Sequence, residues 1–122
     1  MNQKEEKDEL KAEIDRGDFI RAAFVAESLG LTEGEIQELR VKALGQMSAE
    51  YRNAQGTRRL AQEFGFSKNE LKQILDECAK EIRDGGNEKP LRPRYDIRSG
   101  KYLSFEEWLD NVIKNWEKLA GL

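Results

Sequence analysis

Three short motifs of the type Ser/Thr-x-x-Glu constrain the fold of this chain more than any other feature. In such a capping box the hydroxyl accepts a hydrogen bond from the backbone N–H of the glutamate, and the glutamate carboxylate accepts one from the backbone N–H of the serine or threonine. After each motif, apolar residues recur at intervals of three and four, which indicates an amphipathic helix. The sequence therefore predicts three helices that begin at these motifs. The motifs are Thr32 to Glu35, Ser67 to Glu70 and Ser104 to Glu107.

Glycines mark the ends of three further predicted helices. Gly17, Gly30 and Gly65 each follow a helical stretch, at a position where a left-handed backbone conformation commonly ends a helix. Leucine and isoleucine together number 20, whereas valine and threonine number five, and β-branched Val and Thr are the poorer helix formers. The three helices are predicted at about 4–14, 18–29 and 57–64.

The segment 86–103 differs in composition from the helices around it. Glycines at its start break the preceding helix, and Pro90 and Pro93 prevent a new one. The residues 94–97 and 101–103 flank a turn containing Gly100, which predicts a short hairpin near 94–103.

The chain contains an internal repeat with a period of 35 residues. Each copy places a small alanine on a first helix, a glycine four residues later and an aliphatic residue six after the glycine. This spacing suits two helices that meet closely at a tight turn, because alanine permits the approach and glycine supplies a positive φ. The spacing resembles that of the helix-turn-helix class. The two sets are Ala26, Gly30 and Ile36, and Ala61, Gly65 and Leu71.

These elements together predict an all-α fold, a small bundle of about five helices with two tandem helix-turn-helix-like units and a short hairpin. A chain of 122 residues is the size of one ordinary domain, so we expect a single domain spanning 1–122. Its predicted parts are a charged N-terminal helix or arm (1–16), the first helix-turn-helix-like unit (18–50), the second helix-turn-helix-like unit (57–84), the basic loop or hairpin (86–103) and an amphipathic C-terminal helix (104–120).

Absent residue types exclude much of enzymology. The sequence has no histidine and one cysteine, Cys78, so no histidine-based catalytic triad, no disulfide framework and no four-cysteine zinc site can form within it. We therefore expect no enzyme activity, no metal and no cofactor, and Cys78 is predicted to be a buried, inert thiol. The first ten residues are charged where a signal peptide would be apolar, and no apolar run is long enough for a membrane span, so we expect a cytoplasmic protein.

The net charge of −3 conceals an uneven distribution of charge. Residues 86–101 carry five basic side chains against two acidic ones, interleaved with tyrosine. A basic hairpin behind a candidate recognition helix resembles the wing of winged-helix proteins, which lies along the phosphate backbone of DNA. We therefore expect a nucleic-acid-binding or transcription-regulatory protein whose partner is duplex DNA. The predicted base contacts are Lys68, Asn69, Lys72 and Gln73, and the predicted phosphate contacts are Arg58, Arg59, Arg94, Arg98 and Lys101.

A helical protein-interaction module without a nucleic-acid role is the alternative. In the first copy of the repeat the exposed positions of the second helix carry carboxylates, which oppose contact with phosphates. This face, or the two tryptophans of the last helix, could instead bind a protein partner or a second copy of the chain. A continuous positive face joining Lys68, Lys72 and Arg98 would favour DNA, and separated patches would favour the alternative. The residues of the alternative are Glu33, Gln37, Glu38, Trp108 and Trp116.

Overall fold

The computed structural model describes residues 3–117 of the chain. Its backbone divides into two compact units, Met1–Gln46 and Met47–Leu122, which we describe separately. The expected single domain stays a prediction. Among the residues described, no helix is both long enough and apolar enough to cross a membrane.

The first unit consists of three helices, α1 (Gln3–Asp15), α2 (Phe19–Leu29) and α3 (Glu33–Gly45). α2 packs along both α1 and α3, and its alanines are fully buried, so the helices can approach closely. Asp18 caps α2, and Gly30 ends it in a left-handed conformation.

A π-helical turn leads into the second unit, which contains three helices and a two-stranded sheet. Two of the helices, α4 and α5, pack against α6. The strands β1 and β2 are antiparallel, and Tyr95 lies opposite Tyr102. The elements are the turn Gln46–Glu50, α4 (Ala54–Glu63), α5 (Lys68–Asp84), a 3₁₀ turn Lys89–Leu91, β1 (Arg94–Asp96), β2 (Lys101–Leu103) and α6 (Phe105–Lys114).

The predicted fold class is confirmed: the protein is predominantly α-helical, with six α-helices and one small sheet within residues 3–117. All three capping boxes form, and in each the hydroxyl and the carboxylate accept the two expected hydrogen bonds. The last helix was expected to reach residue 120. In the structure α6 ends at Lys114, and residues 118–120 lie outside the described part, as do residues 1 and 2 of the N-terminal helix.

Helix α4 begins three residues before the predicted start at 57. The side chain of Asn53 caps it by accepting a hydrogen bond from the backbone N–H of Gly56, at 2.8 Å. Gly56 weakens the helical pattern in the sequence, yet it fits closely here, because a Cβ would come within 2.9 Å of the Asn53 side chain and of the Met47 sulfur, which would have to shift. The glycine therefore serves close packing rather than helix breaking.

The core of the second unit is built mainly on α5 and α6. Leu71, Leu75, Phe105 and Val112 are fully buried, and the Phe105 ring lies 5.6 Å from that of Trp108. Burying several large apolar side chains on one helix fixes its orientation, because each would otherwise expose apolar surface to water. The core thus fixes the position of α6 against α4 and β2.

Candidate functional site

Arg52 holds the hairpin segment in place. It is half-buried, and its guanidinium donates hydrogen bonds to three backbone carbonyl oxygens: Arg92 at 2.8 Å, Pro90 at 3.2 Å and Leu103 at 3.3 Å. Burial, reinforced by the nearby charge of Arg94, lowers the pKa of Arg52 to about 10, so the side chain remains protonated at neutral pH. The Arg52 guanidinium therefore connects, by hydrogen bonds, the segments on both sides of the hairpin to the residues just before α4.

Two aromatic rings complete the surroundings of Arg52. Its guanidinium carbon lies 5.3 Å from the centre of the Phe105 ring and 5.9 Å from that of the Trp108 ring. Cation–π attraction of this kind adds to the carbonyl hydrogen bonds. No sequence motif marks Arg52, because its partners lie about 40 to 50 residues away along the chain. The one local sign is its left-handed backbone, φ +50°, which only the structure reveals.

A cavity of about 220 Å³ lies between α4, the hairpin and α6. Arg58 lines it although the residue is only 3% exposed, and its Nε has no hydrogen-bond partner among the described residues. Burial and then the charge of Arg98 lower the pKa of Arg58 below its ordinary value. The polar side chains lining the cavity are Arg58, Asp96, Arg98, Ser99, Asn111 and Asn115.

Asp96 is the one carboxylate among the residues that line this cavity, and the turn of the hairpin already uses it. Its Oδ2 accepts a hydrogen bond from the backbone N–H of Ser99 at 2.9 Å. Within residues 3–117, Arg58 forms no ion pair with Asp96 or with any other carboxylate within 4 Å. The cavity therefore contains more positive than negative charge.

The hairpin carries exposed aromatic rings and exposed cations, with Lys101 opposite Asp96 in the strand register. Tyr95 and Tyr102 form an edge-to-face pair with ring centres 5.4 Å apart, and both are more than half exposed. Ile97 next to the turn is 86% exposed. Arg98 and Lys101 are exposed on the same hairpin. Exposed aromatic and aliphatic groups between cations are typical of a binding surface rather than of a solvated turn.

The structure places the other predicted phosphate contacts in different settings. Arg59 is exposed, as a phosphate contact requires. Arg94 is half-buried, and its Nη1 donates a hydrogen bond to the carbonyl oxygen of Glu50 at 2.7 Å. Arg58, expected on the surface, is instead buried, because its position on α4 lies against the cavity that the hairpin and α6 also line. Arg98 and Lys101 are thus exposed on the hairpin, and Arg98 also lines the cavity that contains the buried Arg58.

The predicted base contacts on α5 are all exposed: Lys68, Asn69, Lys72 and Gln73. Lys72, however, pairs with Asp76 at 2.7 Å, and the hydrogen bond and charge of Asp76, followed by the charge of Asp110, raise the pKa of Lys72. Much of its charge is therefore compensated within the unit.

Helix α6 separates Lys72 from the hairpin. Trp108, Asn111 and Asn115 line the cavity on one side of α6. Asp110, which acts on Lys72, is about 200° further around the helix than Trp108. The positive side chains of α5 and of the hairpin therefore belong to separate patches, an arrangement that favours the protein-interaction alternative over a duplex contacted by α5 and the hairpin together.

The residues of the alternative hypothesis are only partly accessible. Glu33 and Glu38 are exposed on α3, where Glu38 pairs with Lys42 at 3.4 Å, and Gln37 is half-buried. Trp116 is half-buried. Trp108 is buried in the core of its unit, so it is not an exposed anchor.

Cys78 is half-buried on α5, and burial, reinforced by the charge of Glu81, raises the pKa of its thiol. The raised pKa disfavours the thiolate, which is the reactive form of cysteine. Among the residues described, no group of three or more Cys, Asp or Glu side chains has the arrangement of a metal site.

The chain matches no protein-family model, no curated protein and no solved structure at a significant level. Functional inference therefore depends on the geometry of the hairpin and the cavity.

Proposed function

We propose that this protein is a non-enzymatic nucleic-acid-binding protein of the cytoplasm and that its hairpin of β1 and β2 contacts the nucleic acid. The observation that carries the proposal is the exposed Tyr95–Tyr102 pair on a hairpin that also carries exposed Arg98 and Lys101. Cations bind backbone phosphates, and tyrosine rings stack on bases. One short hairpin thus offers both kinds of contact.

The local charge supports this proposal. The hairpin follows Lys89 and Arg92, both exposed, and the cavity behind it contains the uncompensated Arg58. Nucleic acid is attracted by a local positive field even when the net charge of a protein is negative, because charges more than about 10 Å away are largely screened at 0.1 M salt. The net charge of −3 therefore does not oppose binding at this face.

The hairpin, rather than α5, is the proposed contact surface. The pairing of Lys72 with Asp76 reduces the field of α5, and α6 separates that helix from Arg98. Exposed tyrosines favour single-stranded segments, since stacked bases in a duplex leave no face open to a side chain. We expect single-stranded nucleic acid to bind more tightly than the duplex of the same sequence.

The test is binding of a labelled oligonucleotide, single-stranded or duplex, followed by fluorescence anisotropy. At about 50 mM salt, Lys101→Glu/Tyr102→Ala is expected to weaken binding at least tenfold, because one phosphate contact and one stacking contact are lost. The dependence of log Kd on log salt should become shallower by about one unit for each cation that is removed.

A matched variant on α5, Lys68→Glu/Lys72→Glu, serves as the control. It is expected to retain most of the affinity, since neither lysine lies on the hairpin. Loss of binding in this variant, with binding intact in the hairpin variant, would assign the contact to α5. A parent protein without salt-sensitive binding to either probe would refute the proposal.

A protein partner is the second candidate function, and the exposure of Ile97 favours it. Tyrosine and arginine around an apolar side chain form the usual centre of a protein interface. Ile97→Ser would then weaken capture of that protein, whereas it would leave the salt-sensitive contact with nucleic acid nearly unchanged.

A further inference from the structure

The cavity beside α4 contains a buried cation without an internal partner. Arg58 is 3% exposed, its Nε has no hydrogen-bond partner, and no carboxylate of residues 3–117 pairs with it. A buried, unpaired guanidinium is unfavourable, and arginine does not relieve this at neutral pH by losing its proton. An anion from outside the chain would therefore compensate this charge.

The cavity also has the size and the donors for a small oxyanion. Its volume of about 220 Å³ exceeds that of one phosphate group, and Arg98, Ser99 and Asn111 line it together with Arg58. The indole of Trp108 forms part of the wall, and an apolar wall strengthens a charge interaction by excluding water. Two guanidinium groups near each other repel, and an anion between them removes that repulsion.

We propose that this cavity binds a phosphate group, held between the guanidinium groups of Arg58 and Arg98. Phosphate is favoured over a carboxylate because it carries up to two negative charges at neutral pH and its oxygens can accept hydrogen bonds from two guanidinium groups at once. The phosphate is inorganic phosphate or the phosphate of a small ester. This inference stands on Arg58 and the cavity and does not require that the hairpin bind nucleic acid.

The test is thermal unfolding of the full chain in increasing inorganic phosphate, compared with sodium chloride at the same ionic strength. A ligand that binds only the folded protein raises the Tm with the logarithm of its concentration. We expect the parent Tm to rise in this way with phosphate and to rise less with chloride. Acetate, which carries a single charge, is expected to give a smaller rise at the same concentration.

Arg58→Met is the decisive variant, since methionine retains an apolar stem and removes the guanidinium. It is expected to fold with a Tm equal to or above that of the parent in the absence of phosphate, because an unpaired buried charge is removed. Its apparent affinity for phosphate should fall at least tenfold. Arg59→Met changes the exposed neighbouring arginine on the same helix and is expected to retain the parent response, including any general salting-out effect of phosphate.

The outcomes separate this inference from the proposed function. An unchanged phosphate response in Arg58→Met would overturn the inference, as would an equal response of the parent to acetate. The hairpin variant Lys101→Glu/Tyr102→Ala should keep the phosphate response, since neither residue lines the cavity. Loss of nucleic-acid binding in the hairpin variant therefore leaves this inference intact. An unchanged phosphate response in Arg58→Met would overturn this inference without bearing on the hairpin proposal.

Discussion

The two units of this chain differ in whether a buried charged side chain has an ion-pair partner. In the first unit Glu13 is 3% exposed, and although its Oε2 has no hydrogen-bond partner among the described residues, its carboxylate pairs with Arg16 and, at 3.2 Å, with Arg21. In the second unit Arg58 is equally buried and has no ion pair within the described residues. A charge whose partners are present contributes to structure, whereas a charge without them is poised for a ligand. This contrast is the reason we propose that the second unit is the one that binds an anion.

The repeated motif is also used differently in the two units. In both copies the alanine is fully buried and the glycine has a positive φ. In the first copy, α2 and α3 pack along each other, and Arg40 pairs with Glu27 across them at 2.6 Å. In the second copy, α4 and α5 contact each other at few positions, and each packs against α6. One local motif therefore serves two arrangements, and the resemblance to the helix-turn-helix class stays a prediction.

Arg52→Met should have the largest effect on stability. Arg52 is a well-partnered arginine of the second unit, and the variant removes its hydrogen bonds to three carbonyl oxygens and its contacts with two aromatic rings. We expect a loss of about 3 kcal/mol in the free energy of unfolding, measured by urea denaturation. An unchanged midpoint would show that the carbonyl contacts contribute nothing and would weaken the contrast with Arg58.

Gly56→Ala and Gly34→Ala should change stability in opposite directions. A Cβ at Gly56 would come within 2.9 Å of Asn53 and Met47, so we expect a loss of about 1 to 2 kcal/mol from overpacking. A Cβ at Gly34, in the first turn of α3, would contact nothing within 4 Å, so alanine should stabilise by about 0.5 kcal/mol.

Thermal unfolding of the two glycine variants checks this difference. If Gly56→Ala stabilised the protein as Gly34→Ala does, the close packing of α4 against Asn53 and Met47 would be refuted. The pair also tests whether packing around Gly56 is tighter than packing around Gly34.

A smaller effect is expected from the capping boxes of the second unit as the pH falls. Hydrogen bonds from Ser67 and Ser104 lower the pKa of Glu70 and of Glu107 below the ordinary value. A lowered carboxylate pKa contributes stability that is complete above the ordinary glutamate pKa of about 4.3 and is lost as the pH falls through the lowered value.

Glu70→Ala should therefore lose stability at neutral pH and lose less in acid, because the carboxylate that accepts the hydrogen bond from the Ser67 backbone N–H is protonated there. Chemical denaturation at a series of pH values from neutral to acidic measures this difference. A cost that is the same at every pH would indicate that Glu70 takes no part in the cap.

Local signals in the sequence were sufficient for most of the fold. The capping boxes and Gly30 and Gly65 predicted helix boundaries correctly because each depends on residues within one turn. The start of α4 was missed, since Gly56 weakens the helical pattern while its role comes from packing against Met47. Local reasoning fails where a side chain's surroundings come from distant parts of the chain.

The candidate site illustrates the same limit. The concentration of basic residues at 86–101 predicted a positive hairpin, and the structure places Arg98 and Lys101 on its surface. The burial of Arg58 and the bonds of Arg52 could not be predicted, because both depend on how α4, the hairpin and α6 pack together. The division of positive charge between α5 and the hairpin likewise follows from the position of α6.

The central claim is that the second unit binds an anion at Arg58 while the first unit compensates its buried charge internally. ¹H–¹⁵N NMR spectra, recorded while inorganic phosphate is added, test it most directly because they report on arginine Nε–H groups as well as on the backbone. We predict that the largest shifts occur at the Arg58 Nε–H and at the amides of residues 96–99. Equal or larger shifts around Glu13, or shifts confined to residues 68–73 of α5, would contradict the claim.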